Sequence, residues 1–446
     1  MRTFRQTFAT GGTLLMTVCT FVPPVGAQEA KPRLTTLYPF AAGSNGGGPD
    51  AGVALGSGGV LYGTTFNGGT DACYSGCGTV FSLTPPGSPG GAWTESVLYS
   101  FEGYSDGDGT NPLAGVVIGG GGVLYGTTQY EYGGNTSAPC GSAGCGTVFS
   151  LTPPASPGSW SETVLHTFTG SGGDGANPSA GVVIDKRGVL YGTTEFGGTS
   201  NAGTVFSLTP PASPGGRWTE EVLVTFAGGN GANPLAGVVI GKGGVLYGTT
   251  NNGGTSGYGT VFSLTPPASQ GPWAETVLHE FAGGSVGDGA NPGAGVVIGS
   301  DGVLYATTRS GGTSGYGTVF SLTPPASQGS AWTETTLYSF AGSPSDGATP
   351  LAGVVIGSGG VLYGTTVNGG TVHPYCGIPG CGVAFQLIPP STPGGVWTES
   401  VLHDFTSGSD GEYPHGVMID KGGVLYGTTD GDGGASSWGT VFRLKP

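Results

Sequence analysis

Charge is what this sequence has least of. Only 9% of its 446 residues are Asp, Glu, Lys or Arg, against about 25% in an ordinary soluble domain. Lysine and arginine number 12 together, too few for the clustered basic surface that nucleic acid or an anionic membrane requires. A strict Gly-X-Y period is missing despite 96 glycines and 33 prolines, which excludes collagen. Glycine at that density also leaves no room for long helices, because it removes helix propensity everywhere. Disorder is argued against as well: it combines low hydrophobicity with high charge, whereas here 36% is hydrophobic and 10% aromatic, in short clusters. What survives is an all-β chain of short strands and glycine turns.

The N-terminal segment is of a different kind. Arg2 and Arg5 precede the apolar stretch 14–22, and Pro23-Pro24-Val25-Gly26-Ala27 follows. That order is expected of a secretory signal peptide spanning 1–27, with the mature domain at 28–446. The stretch is too short to span a bilayer, and none later is long enough. Without it the chain holds 10 basic and 27 acidic residues, a net charge of −17. An exported location follows, whether periplasmic, cell-surface or extracellular. Six cysteines then remain, as Cys73/Cys77, Cys140/Cys145 and Cys376/Cys381. In an exported protein such close pairs are expected to be disulfides stapling local loops. They also resemble zinc half-sites, but no second cysteine or histidine pair accompanies them.

Internal repetition decides the fold. Val-Leu-Tyr-Gly-Thr-Thr or a close variant recurs with its tyrosine at 62, 125, 191, 247, 305, 363 and 426. Gly-Thr-Val-Phe-Ser-Leu follows each time, with phenylalanine at 81, 149, 206, 262, 320, 385 and 442. A third run, typified by 93–101, ends in phenylalanine at 40, 101, 168, 226, 281, 340 and 405, and a fourth, Ala-Gly-Val-Val-Ile-Gly, precedes the next tyrosine motif. Four strand-like runs per unit in tandem predict the blades of a β-propeller. From the axis outward we label them a (AGVVIG), b (VLYGTT), c (GTVFSL) and d (VLYSF). The mature chain opens on a lone d strand, 34–40, and ends on a lone c strand, 439–444. The expectation is therefore a closed, monomeric seven-bladed propeller with four antiparallel strands per blade. Its ring closes by pairing the N-terminal strand with the C-terminal one, which removes two exposed edges.

The Tyr-Gly-Thr-Thr…Gly-Gly-Thr…Gly-Thr-Val-Phe-Ser-Leu…Asp-Gly-x-Asn-Pro pattern resembles the Gloeo-Verruco (GloVer) tandem repeat of exported bacterial proteins, across about 33–446. The resemblance implies export and a repeat fold, but no established reaction. Strand order and one Trp per unit also resemble Kelch blades more loosely.

In such a blade the d–a and b–c loops share one face. The d–a loops carry the repeated Asp108, Asp174, Asp288, Asp346 and Asp410, and the b–c loops carry the three cysteine pairs. Thirteen of the 27 acidic residues, Asp50 and Asp430 among them, fall in these loops, and Arg309 is their lone basic residue. The repeated Asp suits a turn role, accepting backbone N–H groups. Its alternative is a ring of carboxylates that could collect Ca2+; no other cofactor is suggested. Aromatic residues including Tyr258, Tyr316 and Trp438 recur in the b–c loops, where they could stack on sugars or cover the blade tops. A single-site ligand must break sevenfold symmetry, and on that logic Glu131, Glu195, Arg309, His373, His415 and Asp432 are the candidate ligand-binding positions. The tryptophans entering strand d are expected to pack between blades, the strand-b tyrosines within their own blade, and the glutamates after the tryptophans to keep the outer edges soluble. His166, His279 and His403 fill the slot of Tyr99 and Tyr338 as wall residues.

No Gly-x-Ser-x-Gly, His-Glu-x-x-His or phosphate-cradling motif is present, and no catalytic residue can be named. The leading expectation is a non-enzymatic exported protein binding a glycan, an envelope component or another protein on the acidic face. A polysaccharide hydrolase or lyase and a structural surface or matrix protein are the alternatives.

Overall fold

The computed structural model describes residues 32–446 except 71–72, 74, 104–106, 131–139, 141–143, 157, 214, 270, 285–286, 328, 375, 378, 393 and 432–437. The signal-peptide expectation therefore lies outside the described residues. Residues 32–446 form one compact unit. Among the described residues, no helix is long and apolar enough to cross a membrane.

Among the described residues, seven four-stranded antiparallel sheets form the blades, each in the order a, b, c, d, and three two-stranded ribbons lie in the loops. Blade 1 is typical, with Ala54–Leu55, Leu61–Thr65, Thr79–Thr84 and Thr94–Ser100. Its a–b turn runs through Gly58 at φ 68°, a left-handed conformation that glycine adopts without a Cβ clash. In the seventh blade the N-terminal strand Arg33–Pro39 pairs with the C-terminal strand Thr440–Lys445 and occupies the d position. The Phe40 N–H donates to Gly439 O at 2.9 Å, and the Trp438 N–H to Phe40 O at 2.9 Å. The ring closes as its phase predicts.

Period-two patterning makes strands b and c apolar on both faces, and the chain buries them between blades. Each strand-c phenylalanine meets the strand-d phenylalanine of the preceding blade edge-on. The seven pairs are Phe40–Phe81, Phe101–Phe149, Phe168–Phe206, Phe226–Phe262, Phe281–Phe320, Phe340–Phe385 and Phe405–Phe442, with centroids 5.0–5.3 Å apart. All fourteen rings are at most 2% exposed, and burying each stabilises by about 1.5–3 kcal/mol. The tryptophans lie between blades as expected. The tyrosines do not stay within their own blade: Tyr62, Tyr125, Tyr191, Tyr247 and Tyr305 reach the next blade's tryptophan at 6.0–6.3 Å.

At the axis, the glycine of each Ala-Gly-Val run leaves room for the preceding blade's backbone. A Cβ on Gly115, Gly181, Gly237, Gly295 or Gly353 would fall 2.7–3.1 Å from the carbonyl oxygen of the glycine before it in the ring. Beside it, the first threonine of strand b donates to the neighbouring blade's alanine carbonyl, as Thr64 does to Ala114 O at 3.0 Å and Thr428 to Ala51 O at 2.9 Å. These contacts place the start of strand a on the inner wall.

Deleting residues 28–42 should leave the last blade with three strands and lower the melting temperature by several degrees or more. Phe40→Ala alone should cost about 3–5 kcal/mol. Thermal melts of both variants check this, and unchanged curves would mean the closing strand contributes nothing.

Candidate functional site

The repeated aspartates are bound within their own d–a loops. Asp108 accepts from Tyr99 Oη at 2.8 Å and from the N–H groups of Glu102 and Gly103 at 2.9 and 2.7 Å. Asp346 repeats this with Tyr338 Oη at 2.9 Å and the Ala341 and Gly347 N–H groups at 2.6 Å. Where strand d carries histidine, the ring takes the tyrosine's place: His166, His279 and His403 approach Asp174, Asp288 and Asp410 at 3.5, 3.4 and 3.0 Å. Burial pushes these three carboxyls up, but the adjacent histidines and hydrogen bonds from neighbouring loop groups outweigh it and hold them below the usual range. These groups knit turns together.

The strand-d glutamates are half-buried beside the preceding blade's d–a loop, not the solubilising edge that the sequence suggests. Where that loop offers asparagine the glutamate is satisfied: Asn45 and Asn230 donate to Glu95 and Glu275 at 3.0 and 2.8 Å. Where it offers aspartate, two carboxylates face each other. Burial, with the charge of Asp108 or Asp346 added, pushes Glu162 and Glu399 up to about 7.

The cysteine pairs are cystines in the b–c loops, with Cα–Cα separations of 5.2, 5.3 and 5.3 Å for Cys73–Cys77, Cys140–Cys145 and Cys376–Cys381. Tyr258, Tyr316 and Trp438 each remain 44% exposed on this face. Tyr258 and Tyr316 lie against Gly283 and Gly342, and Trp438 against Gly47, so one side is covered and the other is open. His373 is half-buried in the blade 6 loop. Glu131 and Asp432 lie outside the described residues.

Two positions per blade vary, one where the d–a loop enters strand a and one just after strand b. The residue after the repeated proline is Asp50, Leu113, Ser179, Leu235, Gly293, Leu351 or His415, and the residue after Thr-Thr is Phe66, Gln129, Glu195, Asn251, Arg309, Val367 or Asp430. Flanking residues repeat almost unchanged, yet these do not. Ser179 Oγ donates to Glu195 Oε2 at 2.9 Å within blade 3. Burial pushes Glu195 up, partly offset by that bond. Arg309 is exposed in blade 5. In blade 7, His415 and Asp430 meet Asp50 of blade 1, their ligand atoms within 4.8 Å of one another. Burial pushes Asp50 up, reinforced by the charge of Asp430 and their shared hydrogen bond. Burial pushes His415 down, partly offset by the charge of Asp430. Glu195, Arg309 and His415 thus belong to one ring of variable positions, whereas the repeated aspartates do not. Sequence reasoning missed Asp50 and Asp430 as a pair; their alignment with Ser179 and Glu195 was the available signal.

A family model described as Gloeobacter/Verrucomicrobia repeat matches residues 132–375 and 239–446. The chain belongs to that family. No curated protein sequence matches it. Among solved structures, a fungal alcohol oxidase of the AA5 family in complex with copper is similar at TM-score 0.51 and 14% identity, over 93% of this chain and 76% of the other. A putative glucose dehydrogenase from Thermus thermophilus aligns at 0.42 and 15% over 93% and 100%. A Trichoderma reesei AA12 enzyme aligns at 0.41 and 11% over 93% and 95%. At these identities the first speaks to the fold alone, and the other two carry no further weight.

The facing carboxylates make stability pH-dependent. A folded-state value near 7 for Glu162 and Glu399 lies above the unfolded one, so their contribution is fully present below about pH 4.3 and is lost as pH rises through 7. Glu162→Gln and Glu399→Gln should each stabilise at pH 8 by about 1–2 kcal/mol after allowance for partial exposure. At pH 5 they should gain almost nothing. Melting curves at the two pH values check the crossover.

Proposed function

We propose that this member of the Gloeobacter/Verrucomicrobia repeat family is an exported, non-enzymatic propeller that binds an extracellular glycan on its d–a/b–c loop face. The observation that carries the reading is the ring of non-repeating residues on an otherwise repeated scaffold. A turn residue has the same task in every blade and recurs; a residue that touches one asymmetric ligand does not. Glu195, Asn251, Gln129 and Arg309 offer donors and acceptors of the kind that hold sugar hydroxyls. Tyr258, Tyr316 and Trp438, each 44% exposed, offer flat apolar faces for pyranose C–H groups. Three cystines and a repeat family of exported proteins support a periplasmic or extracellular location.

A hydrolase gains nothing from the Asp50–Asp430 pair. Asp50 and Asp430 share a hydrogen bond, whereas a glycosidase needs about 5 Å or more between its two carboxyl groups. Binding without turnover fits that geometry better.

A glycan array probed with the purified protein, with and without Ca2+, tests the reading. Binding to a defined sugar class is expected. Arg309→Ala and a Tyr258→Ala/Tyr316→Ala double variant should weaken it roughly threefold to tenfold per lost ring or charge. Lys242→Ala, in an a–b turn, should leave it unchanged. Absence of binding in both conditions overturns the glycan reading, and release of reducing ends from a bound polysaccharide would establish the hydrolase instead.

A further inference from the structure

Six units read Pro-x-Ala-Gly between the d–a loop and strand a; the seventh reads Pro414-His415-Gly416, one residue shorter and without the alanine. Three consequences follow locally. Strand a of this blade runs Glu412–Ile419 with a bulge between His415 and Val417, where the other blades have two-residue strands. Thr365, whose six counterparts donate to that alanine carbonyl, has a buried Oγ1 without a hydrogen-bond partner. Gly416 no longer abuts the preceding glycine's carbonyl and faces the Ala352 side chain. The shortened segment carries His415 to the seam between blades 7 and 1.

There it meets Asp430, at the end of strand b, and Asp50, at the entry to blade 1, with one nitrogen and two carboxylate oxygens within 4.8 Å of one another. Asp50 Oδ1 is buried and has no hydrogen-bond partner among the described residues. Among the described residues, none of the three side chains takes part in an ion pair. Asp430 is exposed and leaves the cluster open to solvent.

We propose that Asp50, His415 and Asp430 form a divalent transition-metal site, with Zn2+ the preferred ion. The donor set decides the ion. Imidazole nitrogen suits zinc and its neighbours, whereas Ca2+ prefers six to eight oxygens. Three protein ligands are too few for a closed structural zinc and leave a position for water or for an oxygen of a bound molecule. A cation also relieves the repulsion between the two neighbouring carboxylates. Since the ligands come from both sides of the seam, the ion would clamp the ring where its termini join.

Titration calorimetry of the metal-stripped protein with Zn2+, and separately with Ca2+, tests the site. One Zn2+ per chain is expected, bound at least tenfold tighter than Ca2+, with a melting temperature that rises with Zn2+ concentration. Co2+ should bind in its place and give a visible absorption band. Asp430→Asn, at an exposed side chain, and His415→Gln should each weaken Zn2+ at least tenfold and abolish the band. Asp185→Asn, in an a–b turn, should change neither. Circular dichroism in EDTA verifies that each variant is folded. No Zn2+ binding, binding indifferent to Asp430→Asn, or tighter binding of Ca2+ than of Zn2+ would overturn the proposal.

Discussion

A four-stranded blade of this sequence cannot bury its own phenylalanines. Its sheet is apolar on both faces, and the strand-d ring at its edge, such as Phe101, completes its burial against Phe149 of the next blade. The hydrophobic clusters accordingly lie between blades, one at every interface, including the one joining the last blade to the first. This single constraint has no satisfied end in an open array. Opened at the seam, the array would leave Phe81 uncovered at one end and Phe40 at the other, so the chain must come round on itself. Pairing 33–39 with 440–445 lets Phe40 cover Phe81.

The same contact dictates much of the composition. The strand-b glycines, such as Gly63, lie beneath the strand-c phenylalanine of their own blade, and a Cβ there would come 2.6 Å from the Phe81 ring. Blade 5 carries Ala306 at this position, fully buried, so the ring can give by one methyl. At the axis, glycine is required because backbones approach too closely for a side chain. Charge is sparse for a related reason: each blade has two buried faces, and a charged group on either must be paired or left neutral.

The fold was legible because every repeat states the same instruction. Strand phase, the lone terminal strands and the cysteine spacings each follow from local pattern. What crosses a blade boundary was harder to read. Tyr62 and Trp160 lie almost a hundred residues apart, and no periodicity within a unit says that one unit's tyrosine meets the next unit's tryptophan. The strand-d glutamates misled for the same reason. Alternation marks Glu162 as an outward position of an edge strand, but the Asp108 loop of the neighbouring blade covers it. The symmetry argument works differently. It named Glu131, Glu195, Arg309, His373, His415 and Asp432, of which Glu195, Arg309 and His415 occupy the two variable positions of the repeat, His373 lies in the blade 6 loop, and Glu131 and Asp432 lie outside the described residues.

Why the deepest departure from symmetry should fall in the seventh blade has a physical answer. Six interfaces join consecutive units, and each must accept the repeat's own geometry on both sides. The seventh interface joins the two ends of the chain, where strand d is supplied by residues 33–39 and an irregular inner strand disturbs one neighbour. Dropping the alanine before Gly416 leaves Thr365 without a partner among the described residues. The residue before the repeated proline has a positive φ in every blade, and here it is Tyr413 at 54° where four other blades carry asparagine, a backbone conformation that bulky residues seldom adopt. Such a cost persists only where the surroundings enforce it, and strain of this kind concentrates at functional sites. In this ring the cost is borne where His415, Asp430 and Asp50 converge. The scaffold's regularity therefore serves as the background against which one irregular seam can be specified.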